Sequence, residues 1–105
     1  MLNLPRELIG LTIKSTLIIH DYFQVIFEGD VILTINNVHS VCQNHLRVDE
    51  IPEGILLKQI IESDENILMI FTDEFQINID LSDSAYIGPE AFTLSFPGRP
   101  LIVLS

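Results

Sequence analysis

His39, Cys42 and His45 recur at three-residue intervals in His-Ser-Val-Cys-Gln-Asn-His, and these are the side-chain types that soft and borderline metals favour. Zinc would need a fourth ligand, for which Asp49 is available. On an extended segment, however, a spacing of three sends successive side chains to opposite faces, so the trio reads as a half-exposed connecting strand with an inert buried thiol. No metal and no cofactor are expected. His20-Asp21 sets an imidazole beside a carboxylate, the makings of an acid–base pair. Adjacent residues at a hairpin tip seldom converge on a cleft, and neither a Ser or Cys nucleophile motif nor a Gly-rich phosphate loop accompanies them. The paired acids Asp64-Glu65 and Asp73-Glu74 have the residue types of a glycosidase, but both pairs fall in turns where water solvates them. The chain is therefore expected not to be an enzyme.

The acids carry a different signal through their placement. Residues 1–48 hold four acids against three basic residues, whereas residues 49–105 hold eleven against Lys58 and Arg99. From Glu62 to Asp83 the acids Glu62, Asp64, Glu65, Asp73, Glu74, Asp80 and Asp83 occur with no Lys or Arg among them. A solvated face that keeps the chain soluble would account for the charge but needs no such segregation, and a one-sided field costs stability through self-repulsion. A cationic partner is the functional alternative. The formal net charge of −10 argues against nucleic acid as that partner, because affinity for phosphates comes from counterions released by Lys and Arg.

The elements that must position these residues read as strands. Writing Gly10 to Asn36 over Gly54 to Asp80, an offset of 44 residues, aligns Gly10 with Gly54, Lys14 with Lys58, Ile26 with Ile70, Phe27 with Phe71 and Ile35 with Ile79. Each half then divides into a three-stranded meander. The first comprises Leu11 to Ile19, Tyr22 to Phe27 and Val31 to Asn36; the second comprises Ile55 to Glu62, Ile67 to Phe71 and Phe75 to Leu81. Phe75, Ile77, Ile79 and Leu81 alternate with polar residues, as expected of a strand with one face in the core. Ile67 to Phe71 is apolar at every position and predicts a central strand covered on both sides. Phe92, Leu94 and Phe96 lead through Pro97-Gly98-Arg99-Pro100 into a closing hairpin at Leu101 to Leu104. Asn37 to Val48 reads equally as an extended strand or a loop, Asp49 to Gly54 reads as the linker between halves, and Asn3 can cap a short helical turn at Leu4-Pro5-Arg6-Glu7.

With 105 residues, 48% of them apolar, the chain has enough apolar surface for one compact core and is not disordered. The expected fold is mainly β, a β-sandwich or partly open barrel built from two similar antiparallel meanders plus a C-terminal hairpin. One cysteine forms no internal disulfide, the first residues lack the pattern of an export signal, and no apolar run approaches the ~20 residues of a membrane helix. A cytoplasmic location is the expectation, with no membrane partner.

Gly88-Pro89-Glu90-Ala91-Phe92-Thr93-Leu94, preceded by Tyr86 and followed by a final hairpin in a small acidic β-rich chain, resembles the small immunity proteins of bacterial contact-dependent growth inhibition and related polymorphic toxin systems. The resemblance covers about Tyr86 to Leu104 and the two-half layout. It implies a protein that binds a cognate toxin in the cytoplasm and blocks it, often over the active site of a nuclease. The charge pattern agrees, since a nuclease cleft lined with Lys and Arg can be occupied by an acidic surface. Under this reading Glu62, Asp64, Glu65, Asp73, Glu74, Asp80 and Asp83 face the toxin, with Tyr86 as an aromatic anchor. Two other readings stand beside it. A small-molecule-binding or regulatory β-barrel would show a pocket of several hundred cubic ångströms lined by Phe23, Phe71 or Phe92. An oligomerisation module would pair exposed strand edges between copies.

Overall fold

The computed structural model describes residues 4–86, 88 and 90–104. In chain order its strands are β1 (Ile13–Ile19), β2 (Tyr22–Phe27), β3 (Val31–Ile35), β4 (His39–Gln43), β5 (Leu46–Arg47), β6 (Leu57–Glu62), β7 (Asn66–Phe71), β8 (Phe75–Asp80), β9 (Phe92–Ser95) and β10 (Ile102–Leu104). They form two open antiparallel sheets, β1-β2-β3-β9-β10 (sheet 1) and β5-β4-β8-β7-β6 (sheet 2). The result is a sandwich and not a barrel. The alternation of strong β-formers decides which side chains enter it: Phe23, Val25 and Phe27 of β2 and Ile67, Met69 and Phe71 of β7 point inward and are buried, as are Leu33, Ile77 and Leu94. Each such side chain contributes about 1.5–3 kcal/mol on leaving water.

The offset of 44 residues runs through the geometry. β2 and β7 are the middle strands of their meanders, and the bulge where Ile13 and Ser15 pair with Phe27 and Ile26 recurs where Leu57 and Gln59 pair with Phe71 and Ile70. The two meanders meet where Thr12 bridges Leu56. Around that point Gly10 N–H donates to Leu57 O (2.8 Å) and Gly54 N–H to Ile13 O (2.7 Å). Leu57 N–H donates to Leu11 O (3.0 Å) and Ile13 N–H to Ile55 O (2.7 Å). These are two pairs of bonds related by the same offset. The close approach follows a turn at Gly10 and Gly54, whose φ values of +96° and +89° are cheap only without a Cβ.

Asn37 to Val48 is a hairpin, β4–β5, and it does not stay with its own meander. β4 pairs with β8 of the second half, while β9 of the second half pairs with β3 of the first. Each meander thus receives its fourth strand from the other. The crossover is fixed at Asn37, which is fully buried: its N–H and that of Asn36 donate to Ala91 O, and its Nδ2 donates to Asp80 O at 2.7 Å. The expectation that β7 is covered on both sides is corrected. Only two layers are present, and Leu68 and Ile70 on the outer face are half-buried by their cross-strand neighbours Ile61, Asn78 and Gln76. The N-terminal turn is a 3-10 turn at Arg6–Leu8 preceded by Pro5; Asn3, its expected cap, lies outside the described residues.

Three hairpin turns place both central residues at positive φ: Gly29-Asp30, Asn44-His45 and Asp73-Glu74. Paired positive φ values give a turn the twist of its flanking strands and favour Asn or Gly; Asn44-His45 is the two-residue connection between Gln43 and Leu46, while Gly29-Asp30 and Asp73-Glu74 fall in longer connections. Glu74 (φ 65°) has the least tolerant side chain of the six residues for that conformation. Glu74→Gly is therefore expected to raise stability by about 0.5–1 kcal/mol, seen as a higher urea midpoint at unchanged slope. An unchanged or lower midpoint would show that the turn stores no strain.

Candidate functional site

The acids predicted to act together separate into two groups. One gathers where the β6–β7 turn meets the end of β8. Ser63 organises the turn: its hydroxyl donates to Asn66 Oδ1 (2.8 Å) and accepts the N–H groups of Glu65 and Asn66 (3.2 and 3.1 Å). Leu81 N–H donates to Glu65 O (2.8 Å), tying the chain after β8 to the turn, and Asn66 Nδ2 donates to Asn78 Oδ1 across the strands (2.8 Å). Glu65, Asn66, Asn78, Asp80 and Ser82 line the resulting open depression of about 410 Å³. Asp64 belongs to the same turn, and Asp83 opens the 3-10 turn Asp83–Ala85 directly after Ser82.

Asp80 has a built environment. Ser82 N–H donates to its Oδ1 at 2.8 Å, and this bond, joined by the Ser82 side chain, holds the Asp80 carboxyl below its ordinary value of 3.8. Asp80 thus stays charged into acid solution. A lowered carboxyl pKa favours the fold above the unfolded value and gives up that contribution as pH falls through the folded one.

Asp73 and Glu74 lie at the other end of β7, a six-residue strand about 20 Å long. That separation exceeds the ~8 Å Debye length of physiological salt, so the two acid groups act independently in solution. Their backbone serves a structural purpose, accepting Asn44 N–H at Glu74 O (3.0 Å) and Gln43 Nε2 at Asp73 O (3.2 Å). Glu62 differs from the other acids. It ends β6 on the inner side, opposite Ile67, and its side chain is only 6% exposed. Its Oε2 accepts Leu4 N–H at 2.6 Å and its Oε1 lies 3.3 Å from Arg6 Nη2, so it clasps the N-terminal segment onto the sandwich. Tyr86 follows the 3-10 turn and is half-buried against the core.

Neither candidate catalytic group is drawn together. His39 pairs with Ile79 and turns inward, its ring 5.4 Å from Phe23 and its Nδ1 2.9 Å from Asn37 O. Cys42 pairs with Gln76 on the outer face and is half-buried, which corrects the expected buried thiol because Val41 takes the inward position beside it, and His45 sits in the β4–β5 turn. His20 and Asp21 are exposed at the β1–β2 turn. Phe71 and Phe92 are fully buried in packed core, and the cleft that Phe23 lines with Ile18, His39, Val41 and Val48 is about 140 Å³. That is below the ~300 Å³ at which ligand pockets begin.

Sequence reasoning missed the Arg6–Glu62 clasp, the role of Ser63 and the amide pair Asn66–Asn78. The Ser-Asp-Glu-Asn run was a usable signal for the second, since a Ser hydroxyl ahead of two turn residues readily accepts their N–H groups.

Two measurements follow from this geometry. In a carboxyl NMR titration the Asp80 midpoint lies below 3.8, and Ser82→Pro, which removes the donor at a residue already at φ −65°, moves it up; an unmoved midpoint would assign the effect elsewhere. Glu62→Ala lowers stability by about 2 kcal/mol through the loss of two charge-assisted contacts. Arg6→Ala, whose side chain is mostly exposed, costs about 1 kcal/mol or less; equal losses would show that the clasp rests on the arginine. No protein-family model, curated protein or solved structure matches this chain, so its function is argued from its own residues and geometry.

Proposed function

We propose that this chain is an immunity protein that binds and neutralises a cognate cationic toxin, a nuclease by the chemistry of the fit, by covering its active site with an acidic surface. The observation that carries this reading is a group of acids left without cations. Among the described residues the ion pairs are Arg6–Glu62, Lys14–Asp30 and Arg99–Glu7, and none engages Asp64, Glu65, Asp80 or Asp83. Glu65 and Asp80 line a depression together with Asn66, Asn78 and Ser82, Asp64 and Asp83 are their neighbours along the chain, and Asp80 is held in its charged form. Lys and Arg of a nucleic-acid cleft are the natural counter-charges, and the fields of the two proteins would steer their encounter. Asn66 and Asn78 supply donors and acceptors for a polar rim. The protein acts by occupying the cleft and performs no chemistry of its own; its location under this reading is the cytoplasm, where the toxin acts.

The two ends of β7 make the reading divisible. The test pairs this chain with the toxic C-terminal domain encoded beside its own gene. Co-expression is expected to relieve the growth arrest that the domain causes. Asp64→Asn with Glu65→Gln should slow association at least tenfold at low salt and flatten its salt dependence, while Asp73→Asn with Glu74→Gln should leave both nearly unchanged. Absence of such a neighbouring domain, arrest that co-expression fails to relieve, or wild-type association by the Asp64, Glu65 variant would overturn the proposal.

A further inference from the structure

The two meanders treat their outer strands differently. At the edge of β6, Arg6 Nη1 donates to Ile60 O (3.0 Å), and Glu62 is sealed by Leu4 and Arg6. The counterpart of Glu62 in β1, 44 residues earlier, is Ile18, which is 63% exposed, and its neighbours Leu17 and Ile19 are 46% and 41% exposed. Among the described residues, Leu17, Ile18 and Ile19 make no backbone hydrogen bonds except within the β1–β2 ladder. Proteins ordinarily blunt such an edge with a charge, a proline, a bulge or a covering segment. β1 carries its bulge and its one charge, Lys14, near its start; the segment after β5 reaches it through Ile51 N–H, which donates to Thr16 Oγ1 (3.2 Å), and Ile18 shares a cleft with Arg47 and Asp49, but no backbone group of Leu17, Ile18 or Ile19 is bonded by that segment.

We propose that the β1 edge is a self-association surface, on which a second copy of this chain lays its own β1 antiparallel about a two-fold axis at Ile18. Antiparallel neighbours share a face, so this register sets Leu17 opposite the second copy's Ile19 on the outer face and Ile18 opposite its own counterpart on the other. Every exposed apolar residue of the edge then meets an apolar residue. Moving the axis to Leu17 would set Ile19 against Ser15, and moving it to Ile19 would set Leu17 against Asp21. The same register places Lys14 of each copy next to the residue that faces the other's Asp21, a pair of opposite charges on either side of the axis. Charge also selects this edge over the rest of the surface. Two chains of net charge −10 repel, yet the five strands of sheet 1 contain a single charged residue, Lys14. The dimer joins both copies into a ten-stranded sheet and leaves the acids around Asp80 on the other layer. An interface one strand wide falls at the small end of the size range, below ~1,200 Å² in total, which fits a dissociation constant in the micromolar range.

Sedimentation velocity of the full chain from low-micromolar to near-millimolar concentration tests this. The mass should rise from 11.9 kDa toward twice that value, with tighter association at high salt as the net charge is screened. Ile18→Lys should weaken association at least tenfold without changing the melting curve, because the side chain is mostly exposed. Ile18→Cys in a Cys42→Ser background should oxidise to a covalent dimer, whereas Ile61→Cys, at the β6 position equivalent to Leu17, should not. A monomer at every concentration, which is also the outcome if a different protein is the occupant of this edge, would overturn the proposal. So would a dimer that Ile18→Lys leaves intact.

Discussion

Four backbone hydrogen bonds between Gly10–Ile13 and Gly54–Leu57 set the relation between the two layers. They are individually ordinary, about 1 kcal/mol each, but they act where two chain segments must cross at close range before either meander begins. Everything beyond depends on that crossing. Glu28 N–H donates to Thr12 O and Thr72 N–H to Leu56 O, so the turn after each middle strand is anchored to the same place. The bulges in β1 and β6 lie immediately past it, at equivalent places in the two outer strands, where a bulge bends the strand and increases its twist. Phe27 and Phe71, both buried, sit opposite the first residue of each bulge.

With the layers fixed this way, charge has few places to go. Strands with one face in the core and the other flanked by close cross-strand neighbours admit few ionised groups, and sheet 1 admits only Lys14. The acids are therefore expelled to turns and strand ends, where two hairpin ends of sheet 2 collect them about 20 Å apart. Glu62 shows the contrary case. Its carboxylate faces inward at a strand end, and it is retained because a backbone N–H and a guanidinium reach it.

Much of this was legible in the sequence because it is local. Alternation of Ile, Val and Phe with polar residues identifies the strands of both meanders, and the recurrence of turn residues at an offset of 44 identifies their equivalence. The exchange of fourth strands was not legible, since β4 and β9 have patterns that suit either sheet and pairing partners are chosen by inter-sheet geometry. The same limit applies to the site. Composition locates the acids along the chain, but a strand carries Asp64 and Asp73 to opposite ends of a sheet although only nine positions separate them. Whether an acid is free or clasped depends on Arg6, more than fifty residues from Glu62, and short-range patterns carry no information at that distance.

The exchanged hairpins bear on how the chain comes to be folded at all. β3 waits for β9, roughly sixty positions later, and β8 takes back β4 from a segment made long before it. Closing loops of that span precedes any reward from the contacts they permit, which places this sandwich among slow-folding topologies of high contact order. During synthesis the strands of the first meander are made before the Gly54–Leu57 segment that they bond, and the edge of β3 stays open until Phe92–Ser95 has left the ribosome. A nascent chain of this protein therefore carries the open edge of an apolar strand while roughly sixty further residues are made, and sheet 1 is still incomplete when Asp80 has finished sheet 2.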